Sequence, residues 1–267
     1  MTDRPTTVLI VGATGSVGTH AVAEALRQGY RVRALARDAG RARRLPDEVE
    51  VVIGDLTQPA TLPPAVEGVD AVVFVHGSTT DERDVRAIDY AGVANILDAL
   101  GGRRVRIALM TAIGVTRPGA AYAQWKLRGE RLVRASGNAY TIVRPGWFDY
   151  NDDDQRTIHL LQGDTRQSGT PRDGVIARDE IARVLIDALR IDAADHTTFE
   201  LVAEKGQEQD DLTTLFAALQ HDAPGSLDGA EDASVLPLDQ EPEAFRRDLE
   251  AVRGWESVRP CDQEASR

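Results

Sequence analysis

Two groups of residues have the types and spacing to do chemistry. The first is Gly12-Ala13-Thr14-Gly15-Ser16-Val17-Gly18, which follows an apolar run and precedes a segment with helical spacing. Glycine reaches positive φ and carries no side chain. Such a turn therefore lets backbone approach a pyrophosphate whose charge rests at a helix N-terminus. A Walker-type phosphate loop is excluded, because Gly18 is followed by Thr19 and not by lysine. The second is Tyr122-Ala123-Gln124-Trp125-Lys126. Four residues apart on a helix means one face, so a phenol and an ammonium can converge on one ligand. A free tyrosine titrates near pH ~10, and bringing it toward 7 takes about 4 kcal/mol of differential stabilisation. A neighbouring cation contributes to that, which makes Tyr122 a candidate acid/base and Lys126 its partner.

The elements that must position these residues are legible as short apolar runs at 8–11, 32–35, 49–53, 71–75, 105–110, 140–143 and 199–202. Between them lie segments with helical spacing, such as Ala21-Val22-Ala25-Leu26, Val93-Ile96-Leu97-Leu100 and Ile181-Val184-Leu185-Leu189. Continuous apolar strands alternating with helices predict an α/β, doubly wound parallel sheet of the Rossmann type with about six or seven strands. This domain is expected to span residues 1–204 and to hold the catalytic site. After Glu204-Lys205-Gly206 the pattern changes to short helical segments near 211–219 and 242–255 around a Gly/Asp/Ala/Pro-rich stretch. Residues 205–267 are therefore expected to form a short acidic helical C-terminal extension, packed on the main domain or acting as a lid, with a mobile periphery.

The glycine spacing is Gly-x-x-Gly-x-x-Gly, and the Tyr-x-x-x-Lys falls on the helix after the fifth predicted strand. Together they resemble the short-chain dehydrogenase/reductase superfamily. The chain is most similar to its atypical, NmrA-like NAD(P)H-binding branch, whose members open much as Val8-Leu9-Ile10-Val11-Gly12-Ala13-Thr14-Gly15 does here. The resemblance covers roughly residues 6–204. It implies that Gly12, Thr14, Gly15, Ser16, Val17 and Gly18 hold the cofactor, that Tyr122 moves the proton and that Lys126 also binds the nicotinamide ribose. Thr111, in Met110-Thr111-Ala112-Ile113-Gly114, takes the position where the family usually has a serine. Its hydroxyl could donate the same hydrogen bond to a substrate carbonyl. Gly54-Asp55-Leu56 resembles the adenine-contacting turn, with an Asx turn as the other reading of Asp55. Val75-His76-Gly77 ends the fourth strand, where relatives pass backbone along the cofactor. Arg144-Pro145-Gly146-Trp147-Phe148 resembles the segment along the nicotinamide: Pro145 and Gly146 shape its backbone, and Trp147 and Phe148 line an apolar pocket.

The second strand ends at Ala36, and Arg37 follows where NADP-using relatives bind the 2′-phosphate. An arginine suits that phosphate, whereas a carboxylate would accept from a ribose hydroxyl. Asp38 is read as a helix N-cap, so NADP is expected over NAD. The implied function is an NADP(H)-dependent oxidoreductase that moves hydride to or from a small carbonyl or alcohol. The alternatives are a non-catalytic NADP(H)-binding redox sensor and a sugar-nucleotide epimerase or dehydratase.

Composition narrows the field further. The formal net charge is −12, which argues against nucleic acid and anionic membranes as partners. A small-molecule substrate is expected instead, with a second copy of the chain as the candidate protein partner. Residues 205–267 hold 15 acidic and 6 basic residues, a net of −9, so the acid sits in the tail. Only Lys126 and Lys205 are lysines among 31 basic residues; the rest are arginine. The single cysteine, Cys261, excludes a disulfide scaffold, and the histidines show no metal-ligand spacing. Met1-Thr2-Asp3-Arg4-Pro5 has no basic-then-apolar leader and no apolar run reaches ~18 residues, so a cytoplasmic protein is expected.

Overall fold

The computed structural model describes residues 5–78, 81–233 and 236–257; Cys261 and the first four residues lie outside them. The strands are β1 (Thr7–Val11), β2 (Arg31–Ala36), β3 (Glu50–Ile53), β4 (Ala71–Phe74), β5 (Arg106–Met110), β6 (Ala139–Pro145), β7 (Trp147–Phe148), β8 (Thr157–Leu161), β9 (Val175–Ile176) and β10 (Thr197–Glu204). The helices are α1 (Gly18–Arg27), α2 (Ala39–Ala42), α3 (Pro63–Val66), α4 (Glu82–Asp84), α5 (Ala91–Leu100), α6 (Ala121–Ala135), α7 (Arg178–Asp187), α8 (Thr213–Ala217) and α9 (Glu243–Ser257). A π-helical segment, Val85–Tyr90, joins α4 to α5.

The sheet order is β3-β2-β1-β4-β5-β6-β10, with every neighbour in that series parallel. These seven strands are the seven apolar runs of the sequence. The short β8 and β9 pair antiparallel to β10, and β7 runs parallel to β9, so the sheet has ten strands. Chain order reverses between β1 and β4, which opens a crevice at the strand C-terminal ends.

Successive strand residues feed opposite faces. Val8 and Ile10 pack with Ala21, Val22 and Ala25 of α1 and with Ile181, Val184 and Leu185 of α7. Leu9 and Val11 enter the second core with Val93, Ile96 and Leu97 of α5 and Leu132 and Val133 of α6. The C-terminal extension joins both cores: Leu212 and Phe216 enter the first, and Phe245, Leu249 and Val252 enter the second.

Charge ties the extension down as well as apolar burial. Glu241 accepts from Arg128 and Arg131 of α6 at 2.6 Å each, with all three side chains buried. Asp222 meets Arg134, Tyr140 and Thr198, and Asp232 receives both terminal nitrogens of Arg144 at 2.7 Å. Arginine supplies the planar fork that such buried, multiply bonded carboxylates need. Four acids of the tail, Asp222, Asp228, Asp232 and Glu241, are counter-charges of α6 and β6.

Glu200 on β10 also approaches Arg144, at 3.3 Å, and its Oε2 accepts from the Asp164 N–H. Burial, with the Asp164 carboxylate adding to it, pushes Glu200 up to about 8 against the pull of Arg144. A raised folded-state value means that its stabilisation is fully present below the unfolded pKa. That stabilisation is lost as pH rises through 8. Glu200→Gln should therefore match the wild-type urea midpoint at pH 5 and exceed it at pH 8. Equal offsets at the two pH values would contradict this.

Candidate functional site

A groove of about 490 Å³ lies over the C-terminal ends of β1, β2 and β4. Gly12, Thr14, Gly15, Ser16 and Val17 line its floor; Arg37, Arg41, Asp55 and Leu56 line one end; His76, Gly77, Met110 and Phe148 line the other.

The glycines of the loop divide their work. Gly12 has φ +94°, and a Cβ there would sit 2.6 Å from the His76 amide nitrogen. Gly18 is buried, and a Cβ on it would come within 2.0 Å of the Gly12 carbonyl oxygen. Gly18 thus sets the approach of α1 to β1 and does not itself line the groove. Gly15 is exposed, and its Cβ would meet only the Gly12 carbonyl oxygen, at 3.1 Å. Helix α1 has no side-chain cap and no acidic residue in its first turn, so its positive end is left for an anion. Open backbone at Gly15 beside an uncapped helix start fits a diphosphate.

At the end formed by β2 and β3, Arg37 is exposed and lines the groove with Arg41 and Asp38. Asp38 caps α2, its Oδ1 accepting from the Arg41 N–H at 3.0 Å. That bond, with one from the Gly40 amide, holds the Asp38 carboxyl below its ordinary range. Asp55 Oδ1 accepts from the N–H and hydroxyl of Thr57, which is the Asx turn, while the residue still lines the groove. The Asx turn is thus present, and it stands at the groove.

The expected triad is rearranged, and none of Tyr122, Lys126 and Thr111 is among the residues that line the groove. Tyr122 and Lys126 share one face of α6, and Tyr122 is half-buried against the second core. Lys126 ion-pairs with Asp89, a buried residue of the π-helical segment. The other Asp89 oxygen accepts from the Ser78 N–H at 3.0 Å and from its hydroxyl at 2.5 Å. Lys126, Asp89, His76 and Thr111 line a separate cavity of about 10 Å³ beneath the groove, with Met110 and His76 shared between the two. Burial lowers the His76 pKa, keeping the imidazole neutral at pH 7. Its Nε2 lies 3.3 Å from the Asp89 carbonyl, and its Nδ1 is buried without a partner.

Thr111 departs furthest from expectation. It is buried, and its hydroxyl donates at 2.6 Å to Glu130, which Arg144 and Arg134 also engage. The single hydroxyl proton is spent inside the core, so Thr111 does not present a donor to the groove. Pro145 and Gly146 are buried in the sheet; the Gly146 N–H donates to the Leu201 carbonyl, and a Cβ there would meet the Gly174 carbonyl oxygen at 2.5 Å. Trp147 is exposed on β7 and packs edge-on against Tyr150. Phe148, not these three residues, reaches the groove. Asp89, Ser78 and Arg178 complete the surroundings and carry no signal in the local sequence; Arg41 belongs to the arginine cluster that follows the second strand.

The pattern of the family described as NAD(P)H-binding matches residues 12–192. The chain belongs to that family of NAD(P)H-binding, oxidoreductase-type proteins. It is 27% identical to a photosystem II assembly factor of Cyanophora paradoxa, over 78% of this chain and 67% of that one. It is 34% identical to an NAD(P)H azoreductase of Xenophilus azovorans over 54% of this chain and 49% of that one. With the sanguinarine reductase of Eschscholzia californica it shares 24% identity, over 80% and 96% of the two chains. An oxidoreductase from Lactococcus lactis has the same fold, at a TM-score of 0.65 and 19% identity over 80% of this chain and 99% of that one. So does a short-chain dehydrogenase/reductase from Veillonella parvula in complex with NADP, at 0.57 and 20% over 78% and 98%.

Because Gly15 faces the groove and Gly18 faces the core, their variants should separate. Gly15→Val should abolish dinucleotide binding in titrations while leaving the circular dichroism spectrum native. Gly18→Val should lower the melting temperature. Retained affinity in Gly15→Val would show that the loop is only a turn.

Proposed function

We propose that this chain is an NADPH-dependent reductase of conjugated acceptors. The preference for NADPH is supported by one end of the groove, where Arg37 and Arg41 stand together and Asp38 turns one carboxylate oxygen to the α2 cap. A charge-assisted contact to a 2′-phosphate contributes roughly 1.5–3 kcal/mol. When bound, the reduced nicotinamide supplies a hydride; the rest of the chemistry falls to the residues of this chain.

The observation that carries the acceptor class is the commitment of Thr111 to Glu130. Val75, Ile88, Met110 and Phe148 give the groove an apolar lining, and Asp89 neutralises Lys126. Neither Thr111 nor Lys126 is then free to stabilise a localised alkoxide. An acceptor that spreads incoming charge over a conjugated system, such as an azo bond or a quinone, needs less of that help. The relatives named as an azoreductase and a sanguinarine reductase support a reductase reading. Tyr122, one turn from Lys126, remains the candidate proton donor, with a smaller share of the barrier than a simple ketone would demand.

Wild type should bind NADPH at least about tenfold more tightly than NADH, and Arg37→Ala should remove most of the difference. Followed at 340 nm, kcat/KM for azo dyes and quinones should exceed that for simple ketones by about tenfold or more. On the conjugated acceptors Tyr122→Phe should cost less than about tenfold, below the usual range for loss of a general acid. Equal affinity for both cofactors would return the ribose to an acid. Preference for simple ketones, with a large loss in Tyr122→Phe, would restore the tyrosine-driven mechanism.

A further inference from the structure

Arg178 lies 162 residues from Ser16 in sequence and touches it in the fold. It is the first residue of α7, and its Nε donates to Ser16 Oγ at 3.1 Å. The guanidinium sits 5.2 Å from the centre of the Phe148 ring, and one terminal nitrogen pairs with Asp149. Asp149 is held at φ 56°, a left-handed conformation, and its Oδ1 also accepts from the Arg178 N–H at 3.0 Å. A non-glycine residue kept there is a constraint that the surrounding structure maintains. The Arg178 side chain is 31% exposed and lines the groove.

Two positive features therefore meet at Ser16: the uncapped start of α1 and this guanidinium. The loop itself contributes no carboxylate. Ring and carboxylate hold the guanidinium beside Ser16 at the groove. We propose that Arg178 is a diphosphate-binding residue of the dinucleotide site, with Asp149 holding it in place and competing for its charge. The assignment rests on the groove being that site. It differs from the role of Arg37 in a measurable way, because the diphosphate is common to NADPH and NADH and the 2′-phosphate is not.

The test is calorimetric titration of the full chain with NADPH and with NADH. Arg178→Gln should weaken both by a similar factor, about tenfold, which is the loss of one charge-assisted contact. Asp149→Asn keeps an acceptor for the Arg178 N–H and removes the competing charge, so both dinucleotides should bind about two- to fivefold more tightly. Arg37→Ala should change NADPH alone. An Arg178→Gln variant with native melting and unchanged affinities, or with a loss confined to NADPH, would overturn the proposal. If Arg178→Gln does not fold, Asp149→Asn decides: tighter binding supports the proposal, and unchanged or weaker binding overturns it. A wild-type chain that binds neither dinucleotide would overturn the reading of the groove and this assignment with it.

Discussion

A guanidinium with no exposure to water, that of Arg144, sits at the junction of sheet, helix and tail and constrains what can pack around it. Burying such a charge costs several kcal/mol unless it is paired and hydrogen-bonded, and removing one partner of a buried pair costs about 3–5 kcal/mol. Arg144 is met by Glu130 of α6, Glu200 of β10 and Asp232 of the C-terminal extension. Those bonds join β6 to three separate elements. Arg134, Arg131 and Arg128 continue the pairing along α6 to Asp222, Asp228 and Glu241. Four arginines of α6 and β6 and four acids of the tail are two sides of one interface.

The same network reaches the candidate active site. Helix α6 carries Tyr122 and Lys126 near its start and Glu130 and Arg134 beyond them. Glu130, fixed by Arg144 and Arg134, takes the Thr111 hydroxyl into the core. Lys126 is fixed separately by Asp89, which the π-helical segment brings inside. A π turn inserts one residue into a helix and recurs at functional sites because it re-aims side chains in this way. The inner end of the groove mixes apolar Val75, Ile88, Met110 and Phe148 with His76, Ser78 and Arg178, and Lys126 is charge-paired in the adjoining cavity. Arg37, Arg41 and the glycine loop mark its outer part.

The fold was legible because continuous apolar runs between amphipathic segments admit few arrangements. Each of the seven runs is a parallel strand. The short β7, β8 and β9 were not legible, since two- to five-residue strands at an edge carry little periodicity. The outer half of the site was legible for a local reason: the glycine loop, Arg37, the Asp38 cap and the Asp55 turn are set by neighbours within a few residues. The inner half was not. Whether Thr111 faces the groove depends on Glu130, 19 residues away, and the state of Lys126 depends on Asp89, 37 residues away. The spacing of Gly12, Gly15 and Gly18 gave the motif but not its division of labour, which needed the contact of Gly18 with the Gly12 carbonyl. Pro145, Gly146 and Trp147 look like a cofactor segment in sequence. In the fold, the pairing of β7 with β9 turns them away and leaves Phe148 at the groove.

The central claim is that the groove over β1, β2 and β4 holds the dinucleotide while the Thr111 hydroxyl stays committed to Glu130. A crystal structure of the chain grown with NADPH tests both halves in one map. The account predicts diphosphate density against Gly15 and Ser16, the 2′-phosphate at Arg37, and Thr111 Oγ1 still within hydrogen-bonding distance of Glu130. Density for the dinucleotide elsewhere, or a Thr111 side chain rotated to donate into the groove, would contradict it.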